Sequence, residues 1–339
     1  MPVTVRSFAK INLGLHIGPL RPDGYHELRT VYQTVALHDV IHVQVARGMG
    51  IEIRTDDPRV PKDESNTCYR IAESALRLLK ARGRVIVTIE KRLPVQGGLG
   101  GASGNAVAVL LALERALKKQ MPGPERLRIA ADVGSDLPLF LIGGTVMGVG
   151  HGEEVYPLPD LPAAACVVAT PDIGVSTPRA FADWDAKILP ASGTGEGVRS
   201  ELTVARGSDR MNQFSRAVGA WLSGQNQSKR KAGKVLSGVP AGGRGRAETP
   251  LLDLVRTGIE NDFEQVVFPQ YPELREVKRV LEMSGAFYAS LSGSGSVTYG
   301  LFAGRRQAER AAAKLRQAGI TASATTTLTR RQYWNRIFV

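Results

Sequence analysis

The stretch Pro94-Val-Gln-Gly-Gly-Leu-Gly-Gly-Ala-Ser-Gly-Asn105 joins two segments of opposite character. Ahead of it, Arg84-Val-Ile-Val-Thr-Ile-Glu90 is rich in β-branched residues and reads as a strand; after it, Asn105-Ala-Val-Ala-Val-Leu-Leu-Ala-Leu113 reads as a helix. The five glycines in the connection (Gly97, Gly98, Gly100, Gly101 and Gly104) remove side chains where a ligand would approach the backbone. A phosphate suits that place, because the first amides of a helix lack an internal acceptor and its dipole adds about half a positive charge there. Two common phosphate motifs are excluded. No lysine lies between Lys91 and Lys118, so a Gly-Lys-Ser/Thr ending is absent, and G-x-G-x-x-G counted from Gly98 puts Ser103 at the third glycine. Alone, the stretch reads equally well as a flexible turn.

The chain of 339 residues exceeds the size at which single cores stop growing, about 250 to 300 residues, so two domains are expected. They are placed at 1–160 and 161–339, meeting near Asp160-Leu-Pro-Ala163. Hydrophobic and charged fractions of 43% and 22% are those of a soluble globular protein, and no apolar run approaches the ~18 residues of a membrane span. The N-terminus has no secretory h-region, and Cys68 and Cys166 offer neither a disulfide framework nor a metal cluster, so a reduced, cytoplasmic protein is expected. A net charge of +12 suits an anionic small substrate. No nucleic-acid partner is expected: the most basic run, Lys229-Arg-Lys231 with Lys234, lies in a Gly/Ser-rich segment, without zinc-finger spacing or an RNP-type aromatic pattern.

Residues 31–45 are rich in β-branched side chains, and 66–82 reads as a helix with Ile71, Ala75, Leu78 and Leu79 at helical spacing. In the second half, 211–222 reads as a helix and 224–249 as a mobile basic insertion. Helices over 251–267 and 271–283, an extended 288–291, a turn at 292–296, a strand over 298–302 and a helix over 308–317 ending at Gly319 suggest an α+β sandwich.

Three further segments carry reactive side chains. Phe8-Ala-Lys-Ile-Asn-Leu13 alternates as a strand, with Lys10 and Asn12 on one face, a pattern that also fits an edge strand with a wet face. Arg21-Pro-Asp-Gly-Tyr-His-Glu27 is a turn carrying an aromatic ring and an imidazole. In Gly134-Ser-Asp-Leu-Pro-Leu-Phe140, Asp136 ahead of Pro138 also suits a helix N-cap. His16, His38, His42 and His151 show no metal-ligand spacing and are assigned to structure.

Taken together, these segments resemble the GHMP kinase superfamily, and within it the kinases of a cytidylylated methylerythritol. Lys10-Ile-Asn12, Pro22-Asp-Gly-Tyr-His26, the glycine loop, Gly134-Ser-Asp136 and Gly143-Gly144 carry the likeness in the first half. In the second half Val175-Ser-Thr177 with Phe181, Asn261-Asp-Phe-Glu264 and Ser292-Gly-Ser-Gly295 carry it. The resemblance implies a two-domain GHMP kinase-like α+β fold: an N-terminal ribosomal-protein-S5-like α/β domain, a C-terminal ferredoxin-like α+β sandwich and an active site in the cleft between them. It implies ATP-dependent phosphorylation of the 2-hydroxyl of 4-diphosphocytidyl-2-C-methyl-D-erythritol, in non-mevalonate isoprenoid biosynthesis. Pro94 and Gly97, Gly98, Leu99, Gly100, Gly101, Ala102, Ser103 and Gly104 would then cradle the ATP phosphates, with Ser103 contacting a phosphate or Mg²⁺. Asn66 matches a position near the adenine and equally suits a helix N-cap, while Lys91 would reach the nucleotide. Asp136 would accept or orient the hydroxyl proton beside Lys10. Asn12, Tyr25, His26, Asp136, Thr177, Phe181, Gly293 and Ser294 would bind the small-molecule substrate, with Tyr25 and Phe181 supplying ring faces to the cytosine and His26 meeting its edge. The family loop usually reads Gly-Leu-Gly-Gly-Gly-Ser-Ser, whereas this chain has Ala102-Ser103-Gly104, which removes any contact made by the second serine. Two rivals stay open on sequence: a kinase of mevalonate, homoserine or a sugar, and a nucleotide- or nucleic-acid-binding protein without turnover.

Overall fold

The computed structural model describes residues 1–95, 97–188, 211, 212, 214–216, 218, 219 and 259–339. The chain forms two compact units. The first comprises Met1–Ile11, Tyr32–Leu158 and Leu328–Val339, and the second Asn12–Val31 and Pro159–Thr327. The long strands β1 (Val3–Leu20) and β2 (His26–Ala46) therefore contribute residues to both.

The first unit is built on the sheet order β3-β4-β2-β5-β6, with β1 also pairing β2; β3 is Gly50–Thr55, β4 Arg84–Glu90, β5 Thr145–Gly150 and β6 Glu154–Pro157. Strand β4 lies antiparallel to β2, setting Val43 opposite Val87 and Ile41 opposite Ile89, and parallel to β3. Its strict alternation buries Val85, Val87 and Ile89. Helices α1 (Thr67–Leu78) and α2 (Gly101–Leu117) pack on each other, with α3 (Gly123–Val133) and α4 (Leu137–Ile142) following. From Gly104 to Glu114 every residue of α2 is buried, which is why its sequence is apolar on all sides.

Helix α2 starts at Gly101, four residues ahead of the start expected from periodicity, so Gly101-Ala-Ser-Gly104 is its first turn. Gly104 is a packing requirement of that turn. A Cβ there would lie 2.8 Å from Ser7 Oγ and 3.0 Å from the Phe8 carbonyl oxygen. Gly100, with φ of 66°, is the N-cap, and a Cβ there would meet Phe140 Cζ at 2.9 Å and Lys10 Cγ at 3.1 Å. Strand β1 is buried on both faces through this region: Lys10 and Asn12 are 4% and 1% exposed, so the face they share is not the wet one that the alternation allowed. The unit closes with α9 (Arg330–Arg336), which opens on a capping box between Thr329 and Gln332.

The second unit carries an antiparallel sheet in the order β10-β7-β9-β8, formed by β7 (Ala165–Ala169), β8 (Tyr288–Leu291), β9 (Thr298–Phe302) and β10 (Ala322–Thr326). Helices α7 (Pro272–Met283) and α8 (Arg305–Gln317) pack against it through Val277, Leu281, Ala308, Ala312 and Leu315, giving the expected α+β sandwich. A second cluster gathers Leu15, Ile17, Trp184, Phe263, Val267 and Leu274 around α5 (Thr177–Ile188) and α6 (Glu264–Gln270). Of the helix expected over 251–267, residues 251–258 lie outside the described residues, and the helix seen begins at Glu264. Side chains hold the non-helical residues just ahead of it in a turn: Asn261 Oδ1 accepts from the Phe263 N–H and Asp262 Oδ2 from the Ile17 N–H. Described residues between 211 and 219 are helical as expected, and the segment 224–249 lies outside the described residues. Among the described residues, no helix is long and apolar enough to cross a membrane.

Candidate active site

In the first unit the glycine stretch lines a cavity of about 480 Å³. Of the residues expected at ATP, Asn66, Lys91, Pro94, Gly97, Gly98, Leu99, Gly100, Gly101, Ala102 and Ser103 line it; Gly104 does not, because it faces Ser7 and Phe8. No side chain caps the N-terminus of α2, so the partial positive charge of this long helix opens onto the cavity. Asn66 proves to be the N-cap of α1: its Oδ1 accepts from the Cys68 N–H at 2.8 Å and its Nδ2 donates to the Pro61 carbonyl at 2.6 Å. That side chain shapes the cavity wall and is already committed on both ends. Cys68 is also on the wall, and burial, with the charge of Asp39, pushes its thiol up to about 12, so it stays protonated.

Asp136 lines the same cavity. It precedes α4, yet its side chain makes no capping hydrogen bond, so the N-cap reading does not account for it. Its Oδ2 lies 3.4 Å from the ammonium of Lys10, whose side chain is 5% exposed against 30% for Asp136. Lys10 is placed by backbone pairing, its N–H donating to the Leu99 carbonyl at 3.0 Å, which ties β1 directly to the glycine loop. A part-exposed carboxylate with a buried cation beside it, on the wall of the cavity that the glycine stretch lines, is equipped to accept a proton and to stabilise a developing alkoxide.

Two residues on this side were not expected from sequence. Tyr32 on β2 donates its hydroxyl to Asp136 Oδ1 at 3.0 Å, and the Lys10 ammonium stands 5.4 Å from its ring centre. Burial, with the Asp136 charge, holds the phenol well above its ordinary pKa, so the O–H remains a donor. Asp39, fully buried, accepts at Oδ1 from the Arg92 and Leu93 N–H groups, both at 2.7 Å. Its Oδ2 accepts from Lys91 Nζ at 2.5 Å and Asn105 Nδ2 at 3.0 Å. It thus clamps both ends of the glycine stretch and engages the Lys91 ammonium expected at the nucleotide. A lone carboxylate inside an otherwise β-branched run was the signal available for it.

Of the residues expected at the substrate, Asp136 belongs to the first unit and the others to the second. The ring of Phe181 stacks on His26 at 5.3 Å and an interplanar angle of 5°. His26 Nδ1 lies 2.9 Å from the Gly18 carbonyl and Nε2 lies 3.1 Å from Asp185 Oδ1. Tyr25, 63% exposed, stands at the tip of the turn closed by the Arg21 N–H on the Tyr25 carbonyl. Asn12 is buried and donates from Nδ2 to Thr30 Oγ1 at 2.8 Å. Thr177 and Ser294 meet hydroxyl to hydroxyl at 2.7 Å. Gly293, at φ of 66°, turns the chain there while its carbonyl accepts from Asn261 Nδ2.

The family model of the GHMP kinases N terminal domain matches residues 66–144 and that of the GHMP kinases C terminal matches residues 248–321. The 4-diphosphocytidyl-2-C-methyl-D-erythritol kinase of Solibacter usitatus is 36% identical over 307 residues, covering 91% of this chain and 83% of that protein. The protein of the same name from Desulfitobacterium hafniense is 33% identical over 329 residues, 97% of each chain. A crystal structure of a 4-(cytidine 5'-diphospho)-2C-methyl-D-erythritol kinase matches with a TM-score of 0.68 at 29% identity, covering 96% of this chain and 98% of that one. A homoserine kinase structure from Cytophaga hutchinsonii, 19% identical with a TM-score of 0.67, shares the fold over 97% of this chain and 95% of its own. Through sequence likeness along nearly its whole length and through its fold, the chain belongs to the GHMP kinases, in the family of the 4-diphosphocytidyl-2-C-methyl-D-erythritol kinases.

Proposed function

We propose that this ATP-dependent small-molecule kinase transfers the terminal phosphoryl group of ATP to the 2-hydroxyl of 4-diphosphocytidyl-2-C-methyl-D-erythritol, giving the 2-phosphate and ADP. The carrying observation is Asp136, paired with buried Lys10 and lining the same cavity as the glycine loop. Phosphoryl transfer asks a protein chiefly to position the groups and neutralise charge. The first turn of α2 receives phosphate oxygens, Asp136 takes the hydroxyl proton, and Lys10 stabilises the oxygen as its charge develops.

Mg²⁺ belongs to this reading as a phosphate-bound ion. Among the described residues no cluster of three or more His, Cys, Asp or Glu side chains could hold a metal, so the ATP phosphates and water would supply most of its ligands. The wall offers hard oxygen donors to complete them: the Ser103 hydroxyl and Asn105 Oδ1, the latter buried with no hydrogen-bond partner among the described residues. Bound there, the ion would neutralise phosphate charge.

His26, Phe181 and Tyr25 are assigned to the cytosine, with Phe181 and Tyr25 giving ring faces and His26 the polar edge. Asn12, Thr177, Gly293 and Ser294 are assigned to the polar remainder of the substrate. The same reading places the protein in the cytoplasm, acting on a small molecule and not on nucleic acid; both cysteines are free and buried, as a reduced compartment allows.

The test is ADP release with Mg²⁺-ATP and, in turn, the cytidylylated substrate, mevalonate, homoserine and galactose. Turnover with the first alone is expected. Turnover only with another acceptor would remove the cytosine assignment and leave the phosphoryl chemistry.

A further inference from the structure

We infer that Tyr32 is a positioning residue for phosphoryl transfer, its buried phenol holding the Asp136 carboxylate in the orientation that meets the acceptor hydroxyl. Asp136 is not fixed by its own helix, since it makes no capping hydrogen bond to α4. The approach of Lys10 Nζ to Oδ2, 3.4 Å, is longer than the ~2.7–2.9 Å of a charge-assisted hydrogen bond, so that pair supplies attraction more than direction. The directional contact is the one at Oδ1, where the Tyr32 hydroxyl donates at 3.0 Å.

The phenol is itself held. Tyr32 is 3% exposed and packed in the core of the first unit, so its ring has little freedom. Gly152, with φ of 101°, stands against the hydroxyl, and a Cβ at that position would collide with it. The same ring has the Lys10 ammonium 5.4 Å from its centre. One rigid side chain therefore references both members of the Lys10–Asp136 pair. With Oδ1 bonded to the phenol, Oδ2 is the oxygen left to receive the proton.

This inference rests on the assignment of Asp136 as the proton acceptor, and the experiment separates the two. Steady-state kinetics are measured for Y32F, D136N and the double variant, with thermal midpoints for each. Phenylalanine preserves the ring packing and removes one oxygen. Y32F is expected to lower kcat about tenfold, the scale of one hydrogen bond to a charged group, with both KM values and the midpoint nearly unchanged. In the D136N background the same change is expected to cost nothing further, because Tyr32 acts through that carboxylate. An unchanged kcat in Y32F, or a tenfold loss repeated in the D136N background, overturns the positioning role while leaving Asp136 in place. Near-normal turnover of D136N removes the assignment of Asp136 itself.

Discussion

A carboxylate just ahead of a helix usually caps it, and Asp136 does not, because its two oxygens are directed to Lys10 and Tyr32. Losing either member of the Lys10–Asp136 pair should therefore strike the chemical step and spare the fold. Asp136→Asn and Lys10→Ala are each expected to lower kcat by about a thousandfold or more while circular dichroism stays that of the parent. Rates near the parent value in either variant would show that the pair is not the catalytic one. Gly104 is the second informative residue. In sequence it looked like a lost phosphate contact, yet in the structure it is the point where α2 touches β1. Gly104→Ser places a Cβ 2.8 Å from Ser7 Oγ and 3.0 Å from the Phe8 carbonyl, and the expected cost is about 1–3 kcal/mol of overpacking. Ser7 Oγ is buried with no hydrogen-bond partner among the described residues, so adding Ser7→Ala should recover much of that loss. Urea midpoints of the two variants decide it, and a neutral Gly104→Ser would refute the packing account.

At the scale of elements, the strand–loop–helix unit around the glycines was legible because period-2 and all-apolar runs flank it. The first turn of α2 was not. Glycine is a poor helix former, and this turn packs closely at Gly104 against Ser7 and Phe8, far away in sequence. Strand β1 shows the same limit: alternation marks Lys10 and Asn12 as facing one way, but not that this face is covered. Asp39 is the element-scale device that sequence reading passed over. Its four accepted hydrogen bonds tie residues 91–93 and Asn105 together, so the glycine stretch is anchored at both ends. Removing it leaves the Lys91 ammonium buried without its carboxylate. Asp39→Ala is expected to cost about 3–5 kcal/mol, the range for breaking a buried pair, and to raise the KM for ATP more than it lowers kcat. A variant with lowered stability and an unchanged KM for ATP would make Asp39 a fold residue without influence on the loop.

At the scale of the molecule, the compact units are not successive stretches of chain, and composition carries no sign of this. The first unit takes in Leu328–Val339, and no local pattern assigns those residues to a core formed mostly before position 159. The interactions that hold them there are specific. Tyr333 is 2% exposed and donates its hydroxyl to the Phe140 carbonyl at 2.7 Å, and Trp334 Nε1 donates to the Ile142 carbonyl at 2.9 Å. These carbonyls belong to the last turns of α4, where acceptors are otherwise left over, and a Cβ at Gly143 would collide with the Tyr333 ring. Helix α4 begins directly after Asp136, so the tail of the chain supports the carboxylate from the far end of its helix. Tyr333→Phe removes one hydrogen bond and should cost about 1 kcal/mol, whereas Tyr333→Ala also empties a large buried volume and should cost about 3–5 kcal/mol. Deleting residues 328–339 should abolish the cooperative unfolding transition of the first unit and with it ADP release. Thermal unfolding and limited proteolysis of the three variants measure this series. A truncated chain that melts and turns over as the full one does would mean that the first unit is complete without its C-terminal helix.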